Sequence, residues 1–138
     1  MKKLLFVIMV LVLSFSLAGC SSTEDKKTEQ FVGVWQYKSP DGDKSWWDSY
    51  FVISKIDGQK GYYQIEDISI ALSDGKARKK GETHKKIFIS KIDKDSILRF
   101  EKSTEFIMIN PEGTEITKDG KEKYHKVKEL PDGLKTAK

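Results

Sequence analysis

Apolar and polar side chains alternate with a period of two along most of the chain between Phe31 and Lys128. β-Branched and aromatic residues dominate the alternating runs, and turn pairs such as Asp57-Gly58, Asp74-Gly75 and Asp119-Gly120 interrupt them about every 8 to 15 residues. No run in this region repeats its apolar residues at the helical spacing of 3.6. The pattern therefore predicts an all-β domain.

Tight turns between successive runs predict that strands adjacent in sequence pair antiparallel. Eight or nine such strands in an up-and-down meander would close into a small barrel, because closure removes exposed sheet edges. We therefore predict a small eight- to nine-stranded antiparallel β-barrel over residues 31–128, followed by a short tail over residues 129–138. The predicted strands cover residues 31–37, 46–56, 61–72, 84–92, 96–100, 105–110, 114–118 and 122–128.

The first 30 residues follow a different pattern. Lys2 and Lys3 precede an unbroken apolar run over residues 4–13, and small residues lead from there to Cys20, the only cysteine. A charged start, an apolar centre and a small-residue cleavage site predict a removable signal peptide over residues 1–19. The polar residues up to Gln30 are predicted to form a flexible tether.

The Leu17-Ala18-Gly19-Cys20 sequence resembles the lipobox of bacterial lipoproteins. This resemblance implies that the Cys20 sulfur carries a diacylglyceryl group and that Cys20 is the first residue of the mature chain. It implies a bilayer as a partner and a lipid-anchored location on the extracytoplasmic face of the cell membrane, and we expect no other cofactor. An ordinary secretory signal followed by a free thiol is the alternative.

Charge and cysteine content limit the possible partners of the chain and the interactions that can stabilise its fold. The precursor has 138 residues and a net charge of +4, and removal of the signal with its two lysines leaves 119 residues at +2. Such a balanced charge gives no reason to expect a nucleic-acid partner, which would need a clustered basic surface. With its one cysteine lipidated, the domain cannot use disulfides and must fold by apolar burial alone.

The Phe31-x-Gly33-x-Trp35 sequence at the start of the first strand resembles the opening signature of the lipocalins and related calycins. In that family the tryptophan packs across the closed floor of the barrel under a late arginine. This chain departs from the pattern, because its last strand carries lysines instead: Lys123, Lys126 and Lys128.

The lipocalin resemblance implies a non-enzymatic binder of a small apolar molecule. Alternating residues would line the interior, either around a ligand pocket or as a filled core: Trp35, Phe51, Tyr63, Phe88, Phe100 and Phe106. The other class of function that fits the sequence is a protein-interaction module, such as an inhibitor, immunity or exclusion lipoprotein whose partner is an envelope protein and whose loops make the contacts.

Residues suited to catalysis or metal binding are scarce. The chain has no Gly-x-Ser-x-Gly elbow, no nucleophilic cysteine once Cys20 is lipidated, and two histidines, His84 and His125. Zinc needs three or four ligands at workable spacing, and two histidines do not supply them. We therefore predict no catalytic residues, no metal site and no enzymatic activity.

A basic cluster precedes the strand at residues 84–92. Next to an anionic leaflet, each nearby cation contributes about 1 kcal/mol of attraction, so this cluster could orient the domain on the membrane. A solvated turn is the alternative interpretation. The candidate membrane-orienting residues are Lys76, Arg78, Lys79 and Lys80.

Overall fold

The computed structural model describes residues 23–39, 47–73, 76–77 and 83–134. The signal peptide, Cys20 and Arg78, Lys79 and Lys80 lie outside these ranges, as does the side chain of Lys76. Within these ranges, a short helix, α1 (Thr23–Glu29), precedes the strands. No described helix has the length and apolar character needed to cross a bilayer.

Nine strands follow α1, and each alternating run of the sequence forms one of them. They are β1 (Gly33–Tyr37), β2 (Trp47–Lys55), β3 (Tyr62–Ser73), β4 (Lys76–Ala77), β5 (Thr83–Ile92), β6 (Leu98–Phe100), β7 (Phe106–Ile109), β8 (Glu115–Lys118) and β9 (Glu122–Val127). A single turn of 3₁₀-helix follows at Asp132–Leu134.

Eight of these strands form a closed antiparallel barrel. β1 pairs with β2 on one side and with β9 on the other, and β2 pairs in turn with β3. From β3 the wall continues through β5, β6, β7 and β8 to β9, while β4 is a two-residue addition to the end of β3. The predicted meander and its closure are therefore confirmed, because every strand of the wall pairs with its neighbours along the chain and the first pairs with the last.

The barrel interior is packed at one end by large apolar side chains from nearly every strand. Residues directly opposite each other in a ladder share a face, so the pairing of Trp35 with Phe51 places both rings inside. The Phe51 and Tyr124 rings stack with their centroids 4.3 Å apart. The fully buried members of this core include Phe31, Trp35, Phe51, Ile53, Ile65, Leu98, Ile107 and Ile116.

A second apolar cluster lies on the outer face of β2 and β3. There Tyr50 and Ile68 are buried against Leu134, which is only 2% exposed, and Leu130 packs beside them. The segment after β9, predicted as a short tail, thus folds back over the outside of the barrel. It covers apolar side chains that would otherwise face water.

The segment predicted as a flexible tether is also partly ordered. Its residues 23–29 are helical, and the backbone N–H groups of Phe31 and Val32 donate to the last turn of α1 at Thr28 and Glu29. The Glu29 carboxylate accepts a hydrogen bond of 2.9 Å from the Lys55 ammonium on β2. The sequence of this segment has no apolar periodicity, and so it did not indicate these polar contacts.

Candidate functional site

The closed end of the barrel is built around Trp35. Its indole Nε1–H donates a 2.8 Å hydrogen bond to the Phe31 carbonyl, and its side chain is fully buried. The Lys126 ammonium lies 5.1 Å from the centre of the Trp35 ring and donates to the Gln30 carbonyl at 3.2 Å. A lysine from the last strand thus covers the tryptophan, and it joins the start of the barrel to its end.

Gly33 makes this arrangement possible. Its φ of +141° lies in a region that residues with a side chain rarely adopt, and a Cβ atom added there would stand 2.9 Å from the Lys126 Cε atom. The glycine therefore leaves room for the lysine stem to reach the face of the indole ring.

Most of the residues predicted to line an apolar pocket belong to the packed core. Trp35, Phe51 and Tyr63 are at most 3% exposed. Phe100 is buried as well, and its ring meets the half-buried Phe88 ring edge-on at 5.2 Å. These side chains fill the interior around one another.

Phe106 is placed differently from the prediction. Leu98 on β6 pairs with Ile107, which is fully buried, whereas Phe106 pairs with Arg99 on the opposite face. The Arg99 guanidinium accordingly lies 5.9 Å from the centre of the Phe106 ring. Two adjacent apolar residues leave the parity of a short strand undecided, and the structure selects Ile107 as the inner one.

The other end of the barrel is open and polar. A cavity of about 370 Å³ lies there, and we call it the chamber. The strand register shows that side chains at this end face inwards like those of the apolar core. Asp67 pairs with both Phe51 and Lys86, and Ser69 pairs with Ser49 and His84. The described side chains that line it are Ser49, Asp67, Ser69, His84 and Lys86.

Three more charged residues occupy the inner parity at the same end, and we call them the rim triad. The Lys118 ammonium lies 2.7 Å from a Glu105 carboxylate oxygen and 3.7 Å from a Glu122 oxygen. The hydrogen bond from Lys118 lowers the pKa of Glu105, so that carboxylate stays ionised well into acid. The rim triad is thus an ion cluster with one more negative than positive charge.

Asp67 is the exceptional carboxylate of the chamber. Burial raises its pKa above the usual range, although Lys118 and Lys86 act in the opposite direction. Among the residues that the structure describes, no ion pair or hydrogen bond reaches the Asp67 side chain within bonding distance. A half-buried carboxylate without a direct partner is costly to ionise, and such groups cluster at binding and catalytic sites.

The pKa of Asp67 leads to a prediction about stability. The folded state holds the Asp67 proton more tightly than the unfolded chain, so ionisation lowers the free energy of unfolding as pH rises above the unfolded value of about 3.9. We expect Asp67→Asn to unfold at a higher temperature than the native chain at pH 7, and this advantage to vanish at pH 3, where Asp67 is protonated in both states.

Glu66→Gln is the matched control for this prediction. Glu66 is the next residue along β3, lies on the outer face and forms a 3.0 Å ion pair with Lys85, so its loss should not stabilise the chain. Melting curves followed by circular dichroism at the two pH values measure both variants. An Asp67→Asn protein that melts no higher than the native chain at pH 7 would contradict the interpretation that the ionised Asp67 carboxylate destabilises the folded state.

The chamber residues were not among those predicted from the sequence. The alternation along β3 could have indicated them, because Asp67 and Ser69 follow the inward-facing Tyr63 and Ile65 at the same spacing of two residues. Serine and a lone carboxylate in an alternating strand are normally assigned to a solvated face, and only closure of the barrel shows that they point inwards.

The two histidines lie on opposite faces of the wall. His84 lines the chamber, whereas His125 pairs with Gln36 on the outer parity and is exposed. Within the described ranges, no group of three or more His, Cys, Asp or Glu side chains is arranged to hold a metal ion. The described lining of the chamber offers hydroxyl, carboxylate, imidazole and ammonium groups.

Comparison of the chain with protein-family models, with curated proteins and with solved structures found no match.

Proposed function

We propose that this protein is a lipid-anchored envelope protein that binds a small molecule, without catalysis, in the open end of a lipocalin-like barrel. The supporting observation is the chamber of about 370 Å³, which lies above a packed aromatic core. Concave sites with a few convergent polar groups are the usual form of small-molecule sites. The polar lining favours a polar ligand over the apolar one that the lipocalin resemblance implied.

The proposed anchor is the diacylglyceryl group on Cys20. Each buried methylene contributes about 0.8 kcal/mol, so the two chains of this group hold a protein stably where a single chain would not. α1 starts at Thr23, which leaves few residues between the lipid and the folded part. The domain would therefore sit close to the membrane surface on its extracytoplasmic side.

Replacement of Cys20 tests the anchor. In the native host, we expect Cys20→Ala to abolish incorporation of labelled fatty acid and to move the protein out of the membrane fraction, because the acyl chains have lost their attachment atom. Ser21→Ala, one residue further on, should leave both properties unchanged. A Cys20→Ala protein that still takes up label and still sediments with membranes would contradict the proposal.

Backbone amide shifts test the chamber. The mature chain, kept soluble by Cys20→Ser, is screened against a library with equal numbers of polar and apolar small molecules. We expect polar members to shift the amides of Ser49, Asp67, Ser69 and Lys86 and to leave those of Trp35 and Phe51 unchanged. If no member of either set shifts the chamber amides, the small-molecule function is wrong.

One observation favours a protein-interaction function as the second candidate. β6 pairs with β5 only at Ser90, Lys91 and Ile92, and in the described part of the chain no strand pairs with that side of residues 83–88. Ile87 beside this edge is 57% exposed. Unpaired edges with exposed apolar side chains are common sites of strand addition by a partner.

A further inference from the structure

Carboxylates and ammonium groups are unequal in number among the inner-facing side chains that the structure describes at the open end of the barrel. Asp67, Glu105 and Glu122 contribute three carboxylates on the inner parity, and Lys86 and Lys118 contribute two ammonium groups. Among the described side chains of the inner parity at this end, carboxylates therefore outnumber ammonium groups by one.

Lys118 is not available for the remaining carboxylate. It already contacts both Glu105 and Glu122 in the rim triad. Lys118 acts on Asp67 only at longer range. There it lowers the pKa of Asp67 by less than burial raises it. Asp67 thus remains the carboxylate at this end of the barrel whose charge is least compensated.

Asp67 and Lys86 stand side by side on the chamber wall. They are directly opposite each other on β3 and β5, an arrangement that puts Cβ atoms about 4.5 to 5.5 Å apart. Despite this, in the part of the chain that the structure describes, neither side chain forms an ion pair within 4.0 Å. The described part of the wall presents one carboxylate, one ammonium group and the His84 imidazole, with the hydroxyl groups of Ser49 and Ser69 next to them.

We infer that the chamber takes a small zwitterion, with its ammonium group on the Asp67 carboxylate and its acidic group on the Lys86 ammonium. This inference rests on the proposed function and names its ligand class. A molecule with both charges matches the wall at two points at once, whereas a simple cation or anion leaves one wall charge without a partner. Charge-assisted hydrogen bonds of this kind are stronger than neutral ones.

The size of the chamber suits such a ligand. At about 30 Å³ per water molecule, 370 Å³ corresponds to roughly a dozen waters. A zwitterion with two to four carbons between its charged groups fits within this volume and spans the distance between two adjacent strands. The serine hydroxyls can donate to its acidic group or accept from its ammonium group.

Three probes with the same two-carbon backbone test the two charged contacts together and one at a time. Taurine carries an ammonium and a sulfonate group, ethanolamine carries the ammonium alone and isethionate carries the sulfonate alone. We expect taurine to shift the amides of Ser49, Asp67, Ser69 and Lys86 at a concentration at least about tenfold lower than either half, as loss of one charge-assisted contact predicts.

The variant that tests the inference is Asp67→Asn in the mature chain carrying Cys20→Ser. It should weaken taurine binding at least about tenfold and leave isethionate binding unweakened, since Lys86 is retained. Glu66→Gln, which removes a carboxylate from the outer face of the same strand, is the matched control and should change taurine binding by less than about twofold.

The outcomes separate this inference from the proposed function. If taurine binds no better than its halves, or if Asp67→Asn and Glu66→Gln behave alike, the zwitterion is wrong even when other molecules still shift the chamber amides. If no molecule of the screening library shifts those amides, the chamber is not a ligand site and both proposals fail together. Melting curves of each variant confirm that it is folded before titration.

Discussion

Trp35→Ala is expected to lower the free energy of unfolding by about 3 to 5 kcal/mol, the range found when a large buried aromatic is removed. The ring is fully buried, its Nε1–H donates to the Phe31 carbonyl and the Lys126 ammonium lies over its face. Small domains have a total stability of about 5 to 15 kcal/mol. This one substitution is therefore expected to bring the barrel close to unfolding.

Urea denaturation of the mature chain measures this loss, and two variants define its origin. Trp35→Phe keeps most of the apolar burial but leaves the Phe31 carbonyl without its donor, so we expect a smaller loss of about 1 to 3 kcal/mol. Met108→Ala, on a side chain that is 41% exposed, should change stability by less than about 0.5 kcal/mol. If Trp35→Ala lowered the free energy of unfolding no more than Met108→Ala does, the contacts around Trp35 at the closed end would not stabilise the barrel.

Gly33→Ala is expected to lower the free energy of unfolding by about 1 to 3 kcal/mol, because a side chain at this position strains the backbone. The φ of +141° is one source of the loss. The other is the new Cβ, which stands 2.9 Å from Lys126 Cε. The lysine stem is flexible and can move aside, but its ammonium group then leaves both the Trp35 ring and the Gln30 carbonyl.

Gly58→Ala is the matched control for the backbone contribution. Gly58 also has a positive φ, of 74°, but no atom lies within 4 Å of a Cβ added there. A cycle of Gly33→Ala, Lys126→Ala and the double variant isolates the contact, since the double variant has no lysine to displace. Purely additive losses in that cycle would show that Gly33 and Lys126 do not act together.

The sequence was sufficient to predict the architecture because the signal was local and repeated. Alternating runs such as 61–72 and 84–92, each ended by a turn pair, indicate strands whose neighbours in sequence are neighbours in space. The structure bears this out with β3 and β5, which pair over nine residues. Closure was predicted because it removes the two exposed edges that an open meander of eight strands would leave.

The interior was harder to predict because parity alone does not say where a barrel is packed and where it is open. The same inner series on β3 runs from Tyr63 and Ile65 in the core to Asp67 and Ser69 in the chamber. The sequence left open whether the inward aromatic residues line a pocket or fill the interior, and in the structure most of them belong to the packed core. Phe106 was predicted to face the interior, but the neighbouring Ile107 takes that position, since in a four-residue strand with apolar side chains at both positions the sequence does not distinguish the two faces.

Two features depend on contacts that no local pattern reports. α1 is polar along its described side chains; backbone hydrogen bonds join its last turn to Phe31 and Val32, and the Glu29–Lys55 ion pair joins it to β2. Leu134 is buried against Tyr50 and Ile68, although it lies in a segment with no periodicity at all. The position of Lys126 over Trp35 could be predicted only as a substitute for the late arginine of the lipocalins.

Closure of the barrel between β1 and β9 is the central claim, because it turns the inner parity at the open end into a chamber. The most direct measurement is the set of nuclear Overhauser effects between backbone protons of these two strands in the mature chain. We expect cross-strand contacts between Val34 and Val127 and between Gln36 and His125, as strong as those between β1 and β2. Their absence, with the β1–β2 contacts present, would mean an open sheet and would contradict the chamber and every proposal built on it.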